Sequence, residues 1–143
     1  MKLAMITTFF GAHSFGGDAA YVERLSQALC RRGHEVHVYY CVDAFNAVRN
    51  GHPLRSYEAA PGLHIHPLKS PFGILSPLAT QATGIPFFKS GALKEVLDDP
   101  ATDVIHFHNI SLIGGPGVLR MGRAAVRLMT AHEHWLICPM HLL

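Results

Sequence analysis

Charge is scarce in this 143-residue chain: Asp, Glu, Lys and Arg make up 15% of it, against 49% hydrophobic residues. That balance excludes intrinsic disorder, which needs low hydrophobicity and high charge, and it suits a buried sheet covered by helices. Cysteine is sparse as well. Cys30, Cys41 and Cys138 are odd in number and far apart, which excludes a disulfide framework and a C-x-x-C redox pair. No apolar run is long enough to span a bilayer. The stretch from Lys2 to Phe10 imitates a signal peptide only weakly and serves better as a first buried strand. From the cysteine pattern and the missing span, a cytoplasmic location is expected, with the inner face of the membrane left open. Basic clusters are also lacking. Twelve Lys and Arg give a formal charge of +2, and only Arg31 and Arg32 adjoin, so nucleic acid is excluded as a partner.

Three catalytic signatures are absent. There is no G-x-G-x-x-G, no P-loop lysine after the glycines at 16 and 17, and no G-x-S-x-G. The dinucleotide, P-loop and serine-hydrolase readings fall with them.

What the chain does contain is an alternation of strand and helix patterns. "KLAMITTFF" (2–10) reads as a central strand, near-continuously apolar. Gly16 and Gly17 follow, then a helix with Asp18 at its N-cap, Tyr21, Val22, Leu25, Ala28 and Leu29 on one face, and Gly33 as its terminator. "HEVHVYY" (34–40) alternates as a second strand, with Val36, Val38 and Tyr40 on one face. Strand, helix and strand joined by short connections predict a βαβ unit and a parallel α/β sheet.

Residues 43–62 read as an irregular polar segment and 63–68 as a short strand. Residues 70–88 carry no charge but hold Pro71, Pro77 and Pro86, so no single helix can run through them. That segment is either a broken helix packed on the domain or an apolar lip facing a lipid-like acceptor or a second domain. A helix over 90–98, a strand at 102–109, a helix or turn starting within 111–122, and a last strand and loop within 125–135 complete the pattern.

Two features carry chemistry. Glycines before a helix leave its first N–H groups open to an anion such as phosphate, although a plain tight turn has the same sequence. Histidine is abundant, 11 of 143 residues. His106 and His108 are two apart on a strand and so share a face; His132 and His134 repeat the spacing after the next strand. Carboxyl ends of strands form the ligand crevice of open α/β sheets. The histidines are therefore either satisfied structural groups or polar contacts to an anionic or sugar ligand. A metal held with Cys138 and His141 is a third reading, without structural-zinc spacing to support it.

"GAHSFGGDAAYVERLSQALCRRGHEVHVYY", "DVIHFHN" and "TAHEHWLICP", in that order, resemble the N-terminal domain of a GT-B-fold, family 4 retaining glycosyltransferase. The resemblance covers residues 2–42 and 102–139 well, and the middle only by the order of elements. It implies a Rossmann-like parallel sheet flanked by helices, occupying 1–143 as an acceptor-side domain and apparently short of its last strands. The expected reaction moves a sugar from a nucleoside-diphosphate sugar to an acceptor hydroxyl with retention, and needs no cofactor and no metal.

By the same resemblance, Gly16 and Gly17 admit the donor diphosphate and His132 is the catalytic group near the transferred sugar. His106, His108, Asn109, Glu133 and His134 line the acceptor side of the cleft. The expected partners are the nucleotide-sugar donor, a sugar or lipid-linked acceptor, and a C-terminal domain that carries the nucleotide pocket. Without that domain the chain is expected to be inactive. A stand-alone α/β binding module is the alternative, and peripheral membrane contact stays open.

Overall fold

Alternation of burial along each strand decides the layers. A computed structural model describes residues 1–133. Its strands are β1 Lys2–Ile6, β2 Glu35–Cys41, β3 Leu63–Leu68, β4 Val104–Phe107 and β5 Val126–Met129. All pair in parallel, in the order β3-β2-β1-β4-β5. Leu3, Met5, Val36, Val38, Tyr40 and Val104 project to one face, and meet Val22, Leu25 and Leu29 of helix α1 (Gly16–Arg31). Ala4, Ile6, Tyr39, Cys41, Ile105 and Phe107 project to the other, under Leu93 and Leu97 of α4 (Ser90–Leu97). Successive crossovers thus lie on opposite faces of a Rossmann-like sheet, as right-handed connections require when the strand order reverses.

The α1 boundary corrects one expectation. Gly16 opens the helix and Phe15 is its N-cap, so Asp18 lies inside the first turn rather than capping it. The other end is as expected: Gly33 has φ +80° and receives the chain beyond Arg32. β1 ends at Ile6 instead of residue 10, because the chain leaves the sheet plane after its last bonds to β2, from Thr7 N–H to Tyr39 O and from Cys41 N–H to Thr8 O, both 3.1 Å.

Residues 43–62, read as irregular, contain the greater part of a short helix, α2 Val42–Val48. Seven residues are too few to display a helical period. Its start is held by Cys41, whose Sγ accepts from Ala44 N–H at 3.3 Å. α3 (Leu75–Thr83) shows how a helix fits among the three prolines. Pro77 sits in the first turn, where an N–H has no helical partner to lose, while Pro71 and Pro86 lie outside the helix. The segment is thus a helix broken by its prolines, and its apolar residues Phe72, Ile74, Leu75 and Leu78 stay about half exposed.

α2 and α3 are pinned together by a buried ion pair. Lys89 Nζ lies 3.2 Å from Asp43 Oδ2, both residues at most 3% exposed, and also donates to Ser76 Oγ. Ser70 N–H donates to the same carboxylate at 2.7 Å. Between β4 and β5, a 3-10 helix (Pro116–Arg120) packs on Gly84: Gly117 N–H donates to Gly84 O at 2.7 Å. Among the described residues, no helix is long and apolar enough to cross a membrane.

Candidate functional site

The chain leaves β1 in one direction, toward β2, and leaves β4 in the other, toward β5. Their carboxyl ends therefore diverge and open a crevice at the switch point. A cleft of about 680 Å³ lies there. Phe9 and Phe15, packed edge to face at 5.8 Å, form one wall with Val48 of α2. The first turn of α1 supplies Gly16, Gly17 and Asp18. The segment after β4 supplies Asn109, Ser111 and Leu112, and the segment after β5 supplies His132 and Glu133.

The N-terminus of α1 is uncapped by any side chain, since a phenylalanine N-cap has no acceptor to offer. Its first N–H groups and the positive end of the helix dipole therefore remain available to an anion. The two glycines have different reasons. Gly16 has φ +81°, and a Cβ there would stand 2.9 Å from Asp18 Oδ1. Gly17 has an ordinary φ, and a Cβ on it would meet nothing within 4 Å, so its bareness leaves the cleft floor open.

Asn109 ties the three walls together. Its Nδ2 donates to Asp18 Oδ2 at 2.8 Å, and its Oδ1 accepts from Thr8 Oγ1 at 3.1 Å and Ser111 Oγ at 2.7 Å. Thr8 Oγ1 also donates to Asn109 O at 2.9 Å. These bonds join the ends of β1 and β4 to the first turn of α1, and settle which way the Asn109 amide points.

The histidines divide by depth. His132 lines the cleft, while His106 and His108 do not: they face the α1 side of the sheet, behind the cleft wall. His108 is 1% exposed, and burial first, then His106 and His132, pushes its pKa down to about 3. It is therefore neutral. Its Nε2 faces Met5 Sδ at 3.4 Å, and a thioether can only accept, so the proton belongs on Nε2. Nδ1 is then an acceptor, and His132 Nε2, 3.2 Å away, donates to it. That bond, with Tyr21 T-shaped against the His132 ring at 5.2 Å, holds the ring and leaves Nδ1 as its remaining polar atom. His106 lies against His108, the rings tilted by 36° with centroids 4.0 Å apart, and bonds Thr130 Oγ1 through Nε2 at 2.8 Å; burial lowers its pKa too.

Of the site residues expected from sequence, Gly16, Gly17, Asn109, His132 and Glu133 share the cleft. His106 and His108, expected to line the cleft, sit behind its wall, because the alternation that turns Val104 toward α1 turns both rings the same way. His134 lies outside the described residues, as do Cys138 and His141. Sequence reasoning missed Phe9, Phe15, Asp18, Val48, Ser111 and Leu112 as lining residues. Asp18 and Phe15 adjoin the glycines and so were within reach of a sequence reading; Phe9, Val48, Ser111 and Leu112 are brought to the cleft by the fold.

The chain matches a family model described as "Glycosyl transferase 4-like domain" over residues 16–141. No curated protein and no solved structure matches it. The match runs from the first glycine of α1 through every cleft-lining segment after it. On these findings the chain belongs to the glycosyl transferase 4-like domain family.

Proposed function

We propose that the cleft holds the diphosphate end of a nucleoside-diphosphate sugar beside an acceptor hydroxyl, and that the sugar is transferred with retention at its anomeric carbon. Family membership gives glycosyl transfer as the general role. The observation that carries the finer reading is the pairing, in one cleft, of an uncapped helix N-terminus with an imidazole held in a defined orientation.

When the anomeric C–O bond breaks, negative charge grows on the departing diphosphate and positive charge on the sugar. The first-turn N–H groups of α1 are already oriented and need no reorganisation to meet the negative charge. His132, its Nε2–H engaged by His108, offers Nδ1 to a sugar hydroxyl and holds the ring against the leaving group. The Asp18 carboxylate, held by a hydrogen bond from Asn109 Nδ2, lies below Gly16.

The cleft is open on its solvent side, which fits a partner domain that closes over the donor and carries the nucleotide pocket. Catalysis by this chain alone is not expected, and measurable transfer by it would sink that part of the proposal. The acceptor is proposed to be a sugar or a lipid-linked sugar. The lipid-linked form draws support from Phe72, Ile74, Leu75, Leu78, Ile85 and Phe87, all about half exposed around α3. That charge-free surface also suits peripheral contact with a membrane.

The test is a nuclear magnetic resonance titration of the chain with UDP-, GDP- and ADP-sugars. The amides of Gly16, Gly17 and Asn109 and the His132 ring should shift together with one donor and with its free nucleoside diphosphate. If no donor and no diphosphate moves these resonances, the diphosphate reading is wrong.

A further inference from the structure

At the opposite end of the strands from the cleft, a second group of polar side chains converges. β2 and β3 are in register with His37 opposite His64 and Tyr39 opposite His66, and all four side chains share a face with Glu35. The rings form a continuous stack: His64 to His37 at 4.6 Å, His37 to His66 at 5.1 Å, His66 to Tyr39 at 4.5 Å. Glu35 Oε1 is 2.7 Å from His37 Nε2 and 3.9 Å from His64 Nε2. One ligand atom from each of Glu35, His37 and His64 lies within 4.8 Å of the other two.

We propose that Glu35, His37 and His64 bind a divalent transition ion of the zinc class, with water in the fourth position. Zinc bonds of about 2.0–2.1 Å place tetrahedral ligand atoms roughly 3.3 Å apart. The 2.7 Å pair has to open and the 3.9 Å pair to close by about the same half ångström. Glu35 and His64 have side chains 51% exposed, so both can make that movement and an ion can reach them from solvent. Two imidazoles and one carboxylate suit zinc, cobalt, nickel or copper and suit magnesium or calcium poorly.

The surroundings are also those of a ligand site. With His37 Nε2 on the ion, its proton resides on Nδ1, which then donates to His66 Nε2 at 2.9 Å. Metal-bound histidines characteristically engage their other nitrogen in this way, and the bond fixes ring and tautomer together. His66 is held for that purpose by its stack on Tyr39. The nearby cation, Lys2, is engaged with Asp99 at 2.8 Å rather than with Glu35. The ion would staple the edge strand β3 to β2 at their starts. It touches no residue of the cleft, so its role is in holding the sheet edge and not in the transfer chemistry.

The experiment is a calorimetric titration of the chain with zinc chloride, paired with melting curves. A C138S/H141Q background removes the two donors of the alternative metal reading. One equivalent should bind and raise Tm, with magnesium chloride failing to compete. His64→Gln and Glu35→Gln should each weaken binding by tenfold or more and abolish the Tm rise. His66→Gln should weaken it about tenfold through His37, and His52→Gln should change nothing. Circular dichroism checks that the exposed-site variants fold; two variants guard against the failure of one. The proposal is overturned if the background chain binds no zinc, or if its binding survives the Glu35→Gln/His64→Gln double change.

Discussion

The two glycines at the head of α1 make opposite demands, and replacing each by alanine separates backbone geometry from ligand access. At Gly16, alanine must adopt φ +81°, a left-handed conformation that costs an L residue roughly 1–2 kcal/mol. Its Cβ would also stand 2.9 Å from Asp18 Oδ1, on a carboxylate that Asn109 holds at 2.8 Å and that cannot swing away without losing that bond. In a domain of this size about 1 kcal/mol shifts Tm by roughly 3–4 °C, so G16A should melt some 4–8 °C below the parent. At Gly17 the φ is ordinary and the new Cβ meets nothing within 4 Å. Alanine in a helix is favoured over glycine by about 0.5–1 kcal/mol, so G17A should melt unchanged or up to about 3 °C higher. Yet that Cβ stands in the cleft beside the free N–H groups. Loss of one charge-assisted hydrogen bond, worth about 1.5–3 kcal/mol, should weaken nucleotide-sugar binding roughly 10- to 100-fold. Differential scanning calorimetry and a binding titration on the same samples read both effects. A G17A protein that melts like its parent and binds donor like its parent would refute the ligand-access argument. A G17A protein that melts lower would refute the geometry.

Three further outcomes follow from the packing and the charges. Lys89→Met strands the buried Asp43 carboxylate and should cost about 3–5 kcal/mol in denaturant unfolding; adding Asp43→Asn removes that charge while keeping an acceptor for Ser70 N–H, so the double variant should be more stable than K89M alone. Gly115→Ala meets the Gly84 backbone at 2.7 Å with φ +57°, which should destabilise by at least about 2 kcal/mol because neither chain segment can yield freely. His108 predicts an acid-side loss of stability: its neutral form is fully favourable above the unfolded pKa near 6.5, and below it the unfolded chain takes up a proton that the native ring refuses down to about 3. By pH 5 that difference amounts to about 2 kcal/mol, and the depressed His106, His66 and His13 act in the same direction. His108→Asn should flatten the fall in unfolding free energy between pH 6.5 and 5, and an unchanged slope would remove His108 from the account.

Legibility in the sequence tracked how local each cause is. β2 and β3 were readable because a period of two extends over six or seven residues with turn residues at both ends. Gly33 was readable because a left-handed terminator is a property of one residue. α2 was not, since its start depends on the Cys41 thiol and its burial on a salt bridge reaching to residue 89. The Asp18 cap was misplaced because N-cap preference is weaker than the geometry that two glycines allow, and Asn109, 91 positions away, takes its carboxylate. For the site, the glycine pair and the strand-end histidines were visible as residue types, but their depth was not. Alternation says that His106 and His108 share a face; it does not say whether that face looks into the crevice or onto a helix.

By itself, then, the chain's pattern of apolar residues, turn glycines and prolines determined a parallel α/β sheet and the segments that bear its chemistry. These follow from backbone preferences and burial periods that act over a few residues. Strand order, the reversal between β1 and β4, and the resulting cleft were decided only by tertiary packing, because each unites residues tens of positions apart. The same holds for His132, which its own neighbours in sequence leave unassigned. It acquires an orientation when β4 sets a buried, neutral His108 3.2 Å from its ring.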